Sequence, residues 1–398
     1  MNKWLMIALF ASLPFFSIRA ATGGVSVTLV LMGVITLVVL VQQFTVRHKL
    51  QFQPIDYAHM AYLAIAAASL LFFRHESATG SLIQASVYFA AFLAIRHLMS
   101  VMGLREVAES AILGSMLGIG GFVLIALASV VVYGPPSGLG YYSFTVELYR
   151  SMNNLLGAQF DITSKGVMRN ANGEIFALIA VLPLVLYKRL NRNMGILAAV
   201  SLVLMLLTFS RRAAVAAALV VLALAFTSGM SKQKLAGLVV IVVSVCVGLF
   251  SYAGAESRLT DLSDASRMRQ LSDAVHFLDG HWLTGLGYGA LLKVGVFAKE
   301  AHVHNWWINN TYMLGVLGLA VSIWITYLLL RQFPTRKGHV LLLIPLTGML
   351  VSSGGGGIYT PAQWIILAFC FAVPARRPTT AQAKVRPRSR RARVPENA

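Results

Sequence analysis

Apolar stretches of up to about 20 residues recur along almost the whole chain, and this constrains its fold more than any other feature. They cover approximately 4–18, 25–46, 57–73, 82–101, 110–133, 172–187, 194–209, 213–228, 235–252, 305–330, 339–354 and 361–375. A run of this kind is long enough to cross a bilayer as a helix, and inside lipid only a helix or a closed barrel satisfies every backbone polar group. Hydrophobic residues make up 57% of the 398 and charged residues only 12%, about half the share in soluble domains. A soluble enzyme, a disordered chain and a secreted disulfide scaffold are excluded. The expected fold is all-α: a polytopic membrane protein of about twelve transmembrane helices, occupying residues 1–375.

The formal net charge is +19, which on a soluble protein would suggest nucleic acid. Its distribution argues otherwise. When the connections are assigned alternately to two sides, 21 of the 33 Lys and Arg fall on one side. The positive-inside rule makes that side cytoplasmic, with both termini on it. Residues 376–398 form a basic, Arg/Pro-rich tail that reads as disordered and suited to anionic lipid headgroups. No nucleic-acid partner is expected. Cys246 and Cys370 both lie in apolar runs, so no disulfide framework is available. Residues 1–20 imitate a signal peptide, but Arg19 beside Ala20-Ala21 argues against cleavage.

Two outer segments, 134–171 and 253–304, are long enough to carry structure. In the second, Met268, Leu271, Val275 and Leu278 recur at helical spacing and predict an amphipathic helix on the outer membrane surface. It runs into the glycines Gly280, Gly285, Gly287 and Gly289. The stretch 284-TGLGYG-289 is not framed by a strand and a helix, so it is not a dinucleotide fingerprint.

Unusual polar residues gather at the outer ends of the runs. Arg211 and Arg212 occupy a connection almost too short to be a loop, on the side where basic residues are disfavoured. Glu174 begins the run 172–187. His304 and Asn305 open the run 305–330, and Asn309 falls one turn below Asn305, with Tyr312 nearby. Arg267 and Arg269 sit on the surface helix. Plainer readings exist for each: basic residues that snorkel or solvate a helix face, and His304 in an aromatic belt with Trp306 and Trp307. His302 and His304 have no evident third partner, so no metal is expected.

The order of these features is more specific than any one of them. A Ser-Arg pair closes a run (210-SR-211). A helix containing Arg267 then leads into 285-GLG-287, and His-Asn opens the next run with glycines at fixed offsets (304-HNWWINNTYMLGVLG-318). With 170-NANGEIFALIAVLPLVL-186, this resembles the O-antigen ligase and polymerase superfamily of bacterial membrane glycan transferases over residues 170–318. Two positions depart from the pattern. His281-Trp282 stands where His-Pro is common, and Tyr312-Met313-Leu314 offers no acidic residue before the glycine. The resemblance implies transfer of a glycan from a polyprenyl diphosphate carrier to an acceptor sugar hydroxyl, on a glycan or on lipid A–core, at the outer face of the inner membrane. Under it, Arg211 and Arg267 hold the diphosphate, because guanidinium matches phosphate oxygens bidentately. His304 is the general base, its ordinary pKa suiting neutral pH. Asn305, Glu174, Arg212, Arg269 and Asn309 orient or contact substrate, and no cofactor is required. Compact outer loops lean slightly to a ligase over a polymerase. The competing class is a transporter or flippase for lipid-linked sugars. A cell-wall glycan polymerase of the shape–elongation type lacks its expected acidic residue in a matching context.

Overall fold

The computed structural model describes residues 1–18, 26–45, 50–73, 78–138, 141–157, 165–187, 190–227, 264–290, 292–294, 299–301, 305–333, 336–351 and 360–372, with a few isolated positions. The side chains at 44–45, 141–143, 165–169, 211, 264–270, 292–294, 299–301 and 351 fall outside that description. The protein is a helical membrane protein. In chain order the helices are α1 (Asn2–Ser12), α2 (Val27–Thr45), α3 (Pro54–Phe72), α4 (Ala78–Met102), α5 (Leu104–Tyr133), α6 (Glu147–Leu155), α7 (Lys165–Leu186), α8 (Arg192–Leu207), α9 (Arg211–Thr227), α10 (Asp264–Phe277), α11 (Trp306–Gln332), α12 (Leu343–Val351) and α13 (Pro361–Phe371). A short antiparallel pair, β1 (Leu292–Val294) and β2 (Lys299–Ala301), lies between α10 and α11.

Four helices, α3, α4, α5 and α11, are long and apolar enough to cross a membrane by length and composition. Eleven of the twelve expected runs coincide with helix, and 235–252 lies almost wholly outside the described residues. Several of these helices are short. α12 has 9 residues and α13 has 11, or about 14 and 16 Å at 1.5 Å per residue. Conversely, α7 begins at Lys165, earlier than the expected 172.

Helix ends meet in two sets, as a bundle of alternating direction requires. At one end, Arg96 binds Asp56 at 2.5 Å and donates to the Gln51 carbonyl at 2.8 Å. At that same end the Gln53 amide donates to the Phe371 carbonyl at 2.9 Å, and Lys337 donates to that of Leu184 at 2.7 Å. At the other end, Ser17 donates to Asn172 at 2.6 Å, Ser210 to Asn170 at 3.2 Å, and the backbone N–H of Tyr288 to Ser69 at 2.9 Å.

The run 305–330 was expected to be one span, and it is not. α11 breaks at Gly315, where φ is 64° and ψ is −152°. Trp307 Nε1 donates to Thr326 Oγ1 at 3.0 Å, and Asn310 Nδ2 to Ser322 Oγ at 2.8 Å. On a straight helix residues 307 and 326 would stand about 28 Å apart. α11 is therefore a hairpin, with one arm at 306–314 folded back along a second at 316–332. Gly318 permits the close approach, since a Cβ there would lie 2.4 Å from the Asn310 carbonyl oxygen.

The fold leaves backbone groups to be satisfied, and the glycine-rich stretch supplies the partners. The N–H groups of Leu286 and Gly287 donate to the carbonyls of Tyr312 and Met313, both at 2.9 Å, and that of Val316 donates to Trp282 at 2.8 Å. Gly285 and Gly287 adopt φ of 66° and 98°. A Cβ on Gly285 would lie 2.5 Å from the Gly315 nitrogen, and one on Gly287 2.3 Å from Phe73 Cβ.

α10 is helical over the expected stretch, with Ala274 and Leu278 buried and Val275 45% exposed. In the 134–171 segment, the Ser137 N–H and hydroxyl donate to Glu147 at 2.8 and 2.9 Å, and these bonds hold its carboxyl below the usual range.

Gly315→Ala should destabilise the protein by about 1–3 kcal/mol, because a non-glycine residue is strained at this dihedral and its Cβ would meet the Leu283 carbonyl oxygen. Gly120→Ala, in α5 with nothing within 4 Å of the added Cβ, should be neutral or mildly stabilising. Thermal denaturation in detergent compares the two.

Candidate active site

The site is built on the turn between α8 and α9. Thr208 caps the end of α8, its hydroxyl donating to the Met205 carbonyl at 2.6 Å. Phe209 then takes φ 52°, the only positive φ at a non-glycine position among the described residues. Such a conformation is uncommon for a bulky residue, and it reverses the chain within a few residues. Ser210 caps α9, its Oγ accepting from the Ala213 N–H at 3.3 Å. Arg211 and Arg212 are thus the first two residues of α9. Positive side chains at a helix N-terminus oppose the macrodipole. A local conflict of this kind commonly marks a functional position.

α7 closes on this turn through Gly173, where a Cβ would lie 2.6 Å from Ser210 Cβ and 2.9 Å from Ala213 Cβ. The close approach brings Glu174 to Arg212. Their side chains are 0% and 3% exposed, with Arg212 Nη2 2.6 Å from Glu174 Oε1. α13 completes the cluster. Thr360 Oγ1 donates to Glu174 Oε2 at 2.5 Å, and Gln363 Nε2 to Glu174 Oε1 at 2.8 Å. Thr360 and Gln363 also form the capping box that starts α13. Gly348 of α12 leaves room for them, since a Cβ there would lie 2.4 Å from Gln363 Nε2.

The carboxylate is saturated with donors, and the guanidinium is not. Arg212 approaches Glu174 off-axis, and its Nε and Nη1 are buried without a hydrogen-bond acceptor. A buried polar group of this kind requires an explanation. The arrangement gives Arg212 a fixed position and leaves N–H groups of its guanidinium unpaired.

The candidate residues are placed unevenly. Glu174 and Arg212 are brought together. Arg211 is adjacent in α9, but its side chain lies outside the described residues, as do those of Arg267 and Arg269 in α10. His304 also lies outside them. Asn305 is the N-cap of α11, its side-chain oxygen accepting from the Ile308 N–H at 3.1 Å. It therefore precedes the helix and is not part of its face. Asn309 is buried on the first arm, with Nδ2 4.0 Å from Met313 Sδ. No hydrogen bond among the described residues joins Asn305 to the Glu174 group.

Thr360 and Gln363 escaped the sequence reading, and the Ser210–Asn170 bond joins two segments that it had quoted only as separate motifs. For Thr360 and Gln363 a signal existed: 360-TPAQ-363 has the Thr-x-x-Gln spacing of a capping box with Pro at the first helical position. Nothing in the sequence linked that box to Glu174, which is 186 residues away. Protein-family models and curated proteins give no match to the chain.

Removing one member of a buried ion pair costs about 3–5 kcal/mol. Glu174→Ala should therefore be strongly destabilising, and adding Arg212→Ala should recover part of the loss. A double-mutant cycle on heat stability in detergent tests this. Additive losses would mean the two side chains do not interact.

Proposed function

We propose that the protein is a membrane glycan transferase that moves a glycan from a polyprenyl diphosphate carrier to an acceptor sugar hydroxyl. It would work on the outer face of a bacterial inner membrane, as an O-antigen ligase or a surface-polysaccharide polymerase, with a slight lean to ligase. The proposal includes about twelve spans and both termini in the cytoplasm, so the end bearing Ser17, Asn172 and Ser210 faces outward. The observation that carries it is the pair of arginines at the start of α9, with Arg212 held by Glu174 and keeping unpaired N–H groups.

In this reading Arg211 and Arg267 bind the diphosphate and stabilise the charge that develops as it leaves. Arg212 is fixed behind them by Glu174. That ion pair supports a positioning role for Glu174 over a direct contact with substrate. His304 accepts the proton of the acceptor hydroxyl, and Asn305 begins the helix beside it. A diphosphate is itself a good leaving group, so the residues need only orient it and neutralise its charge. Acceptors are a glycan or lipid A–core, and the remaining contacts are with membrane lipids.

One observation favours a transporter or flippase as the second reading. Transporters use discontinuous helices around polar sites at mid-membrane, and α11 is discontinuous at Gly315.

One complementation experiment separates the two. In a strain lacking the chromosomal copy, His304→Ala and Arg211→Ala should each abolish surface polysaccharide on a gel while protein levels hold. Accumulation of single capped repeats would identify a polymerase, and full-length chains left on the carrier a ligase. Normal polysaccharide from His304→Ala would overturn the transferase reading and leave the transporter.

A further inference from the structure

The turn that leads into Arg212 is strained, and part of what holds it comes from a distant segment. Phe209 keeps φ at 52°. Such strain persists only where the surrounding structure over-determines it. Reversal of the chain after α8 also leaves the last carbonyls of that helix without the N–H groups of a continuing helix. Three of them are served locally. The Thr208 N–H donates to the carbonyls of Leu204 and Met205 at 3.2 and 3.1 Å, and that of Phe209 to Leu206 at 2.9 Å. The carbonyl of Leu207, the last residue of α8, is served from elsewhere. Among the described residues its donor is the buried hydroxyl of Thr145, 62 residues earlier in the chain.

Thr145 belongs to a π-helical turn, Tyr141–Val146, that runs directly into α6. Turns of this kind are rare overall and concentrate at functional sites. The platform behind it is firm. Ser137 binds Glu147 through its N–H and its hydroxyl, which closes the loop ahead of α6. Leu148, Tyr149 and Met152 are buried, and the Tyr149 ring lies 5.7 Å from that of Phe122 in α5. Phe122 in turn meets Phe176 of α7 at 5.4 Å, two residues past Glu174. The segment carrying α6 therefore reaches both sides of the ion pair: α9 through the turn, and α7 through the rings.

Beyond Phe209 the turn is tied to α7 by the Ser210–Asn170 bond at 3.2 Å. Thr145 before Phe209 and Asn170 after it give the turn two fixed points. Those points define where α9 starts, and Arg212 is its second residue.

We infer that Thr145 is a positioning residue: its hydroxyl clamps the Leu207 carbonyl and, through the strained turn, sets where the Arg212 guanidinium stands. Thr145 itself need touch no substrate. The consequence for transfer rests on the proposed function; the clamp rests on hydrogen bonding alone. The α6 segment is then part of the frame of the site and not merely a connection between spans.

Two variants of the full chain test the inference, as purified protein in detergent and by complementation of a strain lacking the chromosomal copy. Thr145→Val keeps the shape and loses the hydroxyl, whereas Thr145→Ser keeps the hydroxyl. In Thr145→Val, amide hydrogen exchange over residues 206–213 should quicken by up to about tenfold, the scale of one net hydrogen bond. Peptides covering Asp56 and Arg96, at the opposite end of the bundle, should exchange as in the wild type. Surface polysaccharide should fall at least about tenfold at unchanged protein level, since a small misplacement of a site group can cost about 100-fold. Thr145→Ser should match the wild type in both readouts. Unchanged exchange over 206–213 in Thr145→Val would overturn the clamp, as would a rise spread through the whole bundle or a Thr145→Ser protein that behaves like Thr145→Val. Faster exchange in the turn with normal polysaccharide would overturn the positioning role. If the wild-type gene itself restores no polysaccharide, the transferase reading fails, and exchange over 206–213 still decides the clamp.

Discussion

Backbone hydrogen bonding in an apolar medium is the constraint on which the rest of this structure depends. A helix that stops inside the bundle exposes carbonyl and N–H groups that water cannot reach, and each must find a partner. At Gly315 the partners are Trp282, Leu286 and Gly287, brought in by a stretch whose glycines accept positive φ and leave no Cβ in the way. At Asn305, Ser210 and Thr360 the partners are side-chain oxygens that cap α11, α9 and α13. Because these partners are supplied, short and folded helices persist where simple spans would otherwise be required.

The Glu174–Arg212 cluster follows the same logic for charge. A lone buried carboxylate or guanidinium is prohibitively unfavourable in this medium. Glu174 meets the requirement with donors from three side chains on two helices. The pairing also ties α13 to α7 and α9, so the starts of two helices are fixed around one carboxylate in the body of a third. Arg212 remains under-satisfied, with Nε and Nη1 unpaired. The Asp56–Arg96 pair at the other end of the bundle shows the contrast. There the guanidinium binds both carboxylate oxygens and the Gln51 carbonyl and stacks over Phe92. That arrangement is complete and reads as structural.

Much of this was legible in the residues. Apolar runs located the helices because a helix in lipid needs little more than length and hydrophobicity. The arginines of 210-SRR-212 stood out because they break charge rules that hold elsewhere in the chain. Gly315 and Gly318 were visible as spaced glycines, but their purpose was not. A glycine that folds a helix back and one that merely interrupts it look alike until the second arm is seen against the first. The partnership of Glu174 with Thr360 and Gln363 was equally hidden, since no periodicity connects residues 186 apart.

The sequence by itself determined that this is a helical membrane protein, where its helices lie, and which polar residues are out of place. These follow from local hydrophobicity, capping and charge, each readable within a few turns of chain. Tertiary structure alone decided that the run 305–330 folds double and that Glu174 meets Arg212, Thr360 and Gln363. Those outcomes depend on which surfaces approach closely enough to satisfy one another's polar groups, and that is a property of packing between segments distant in the chain.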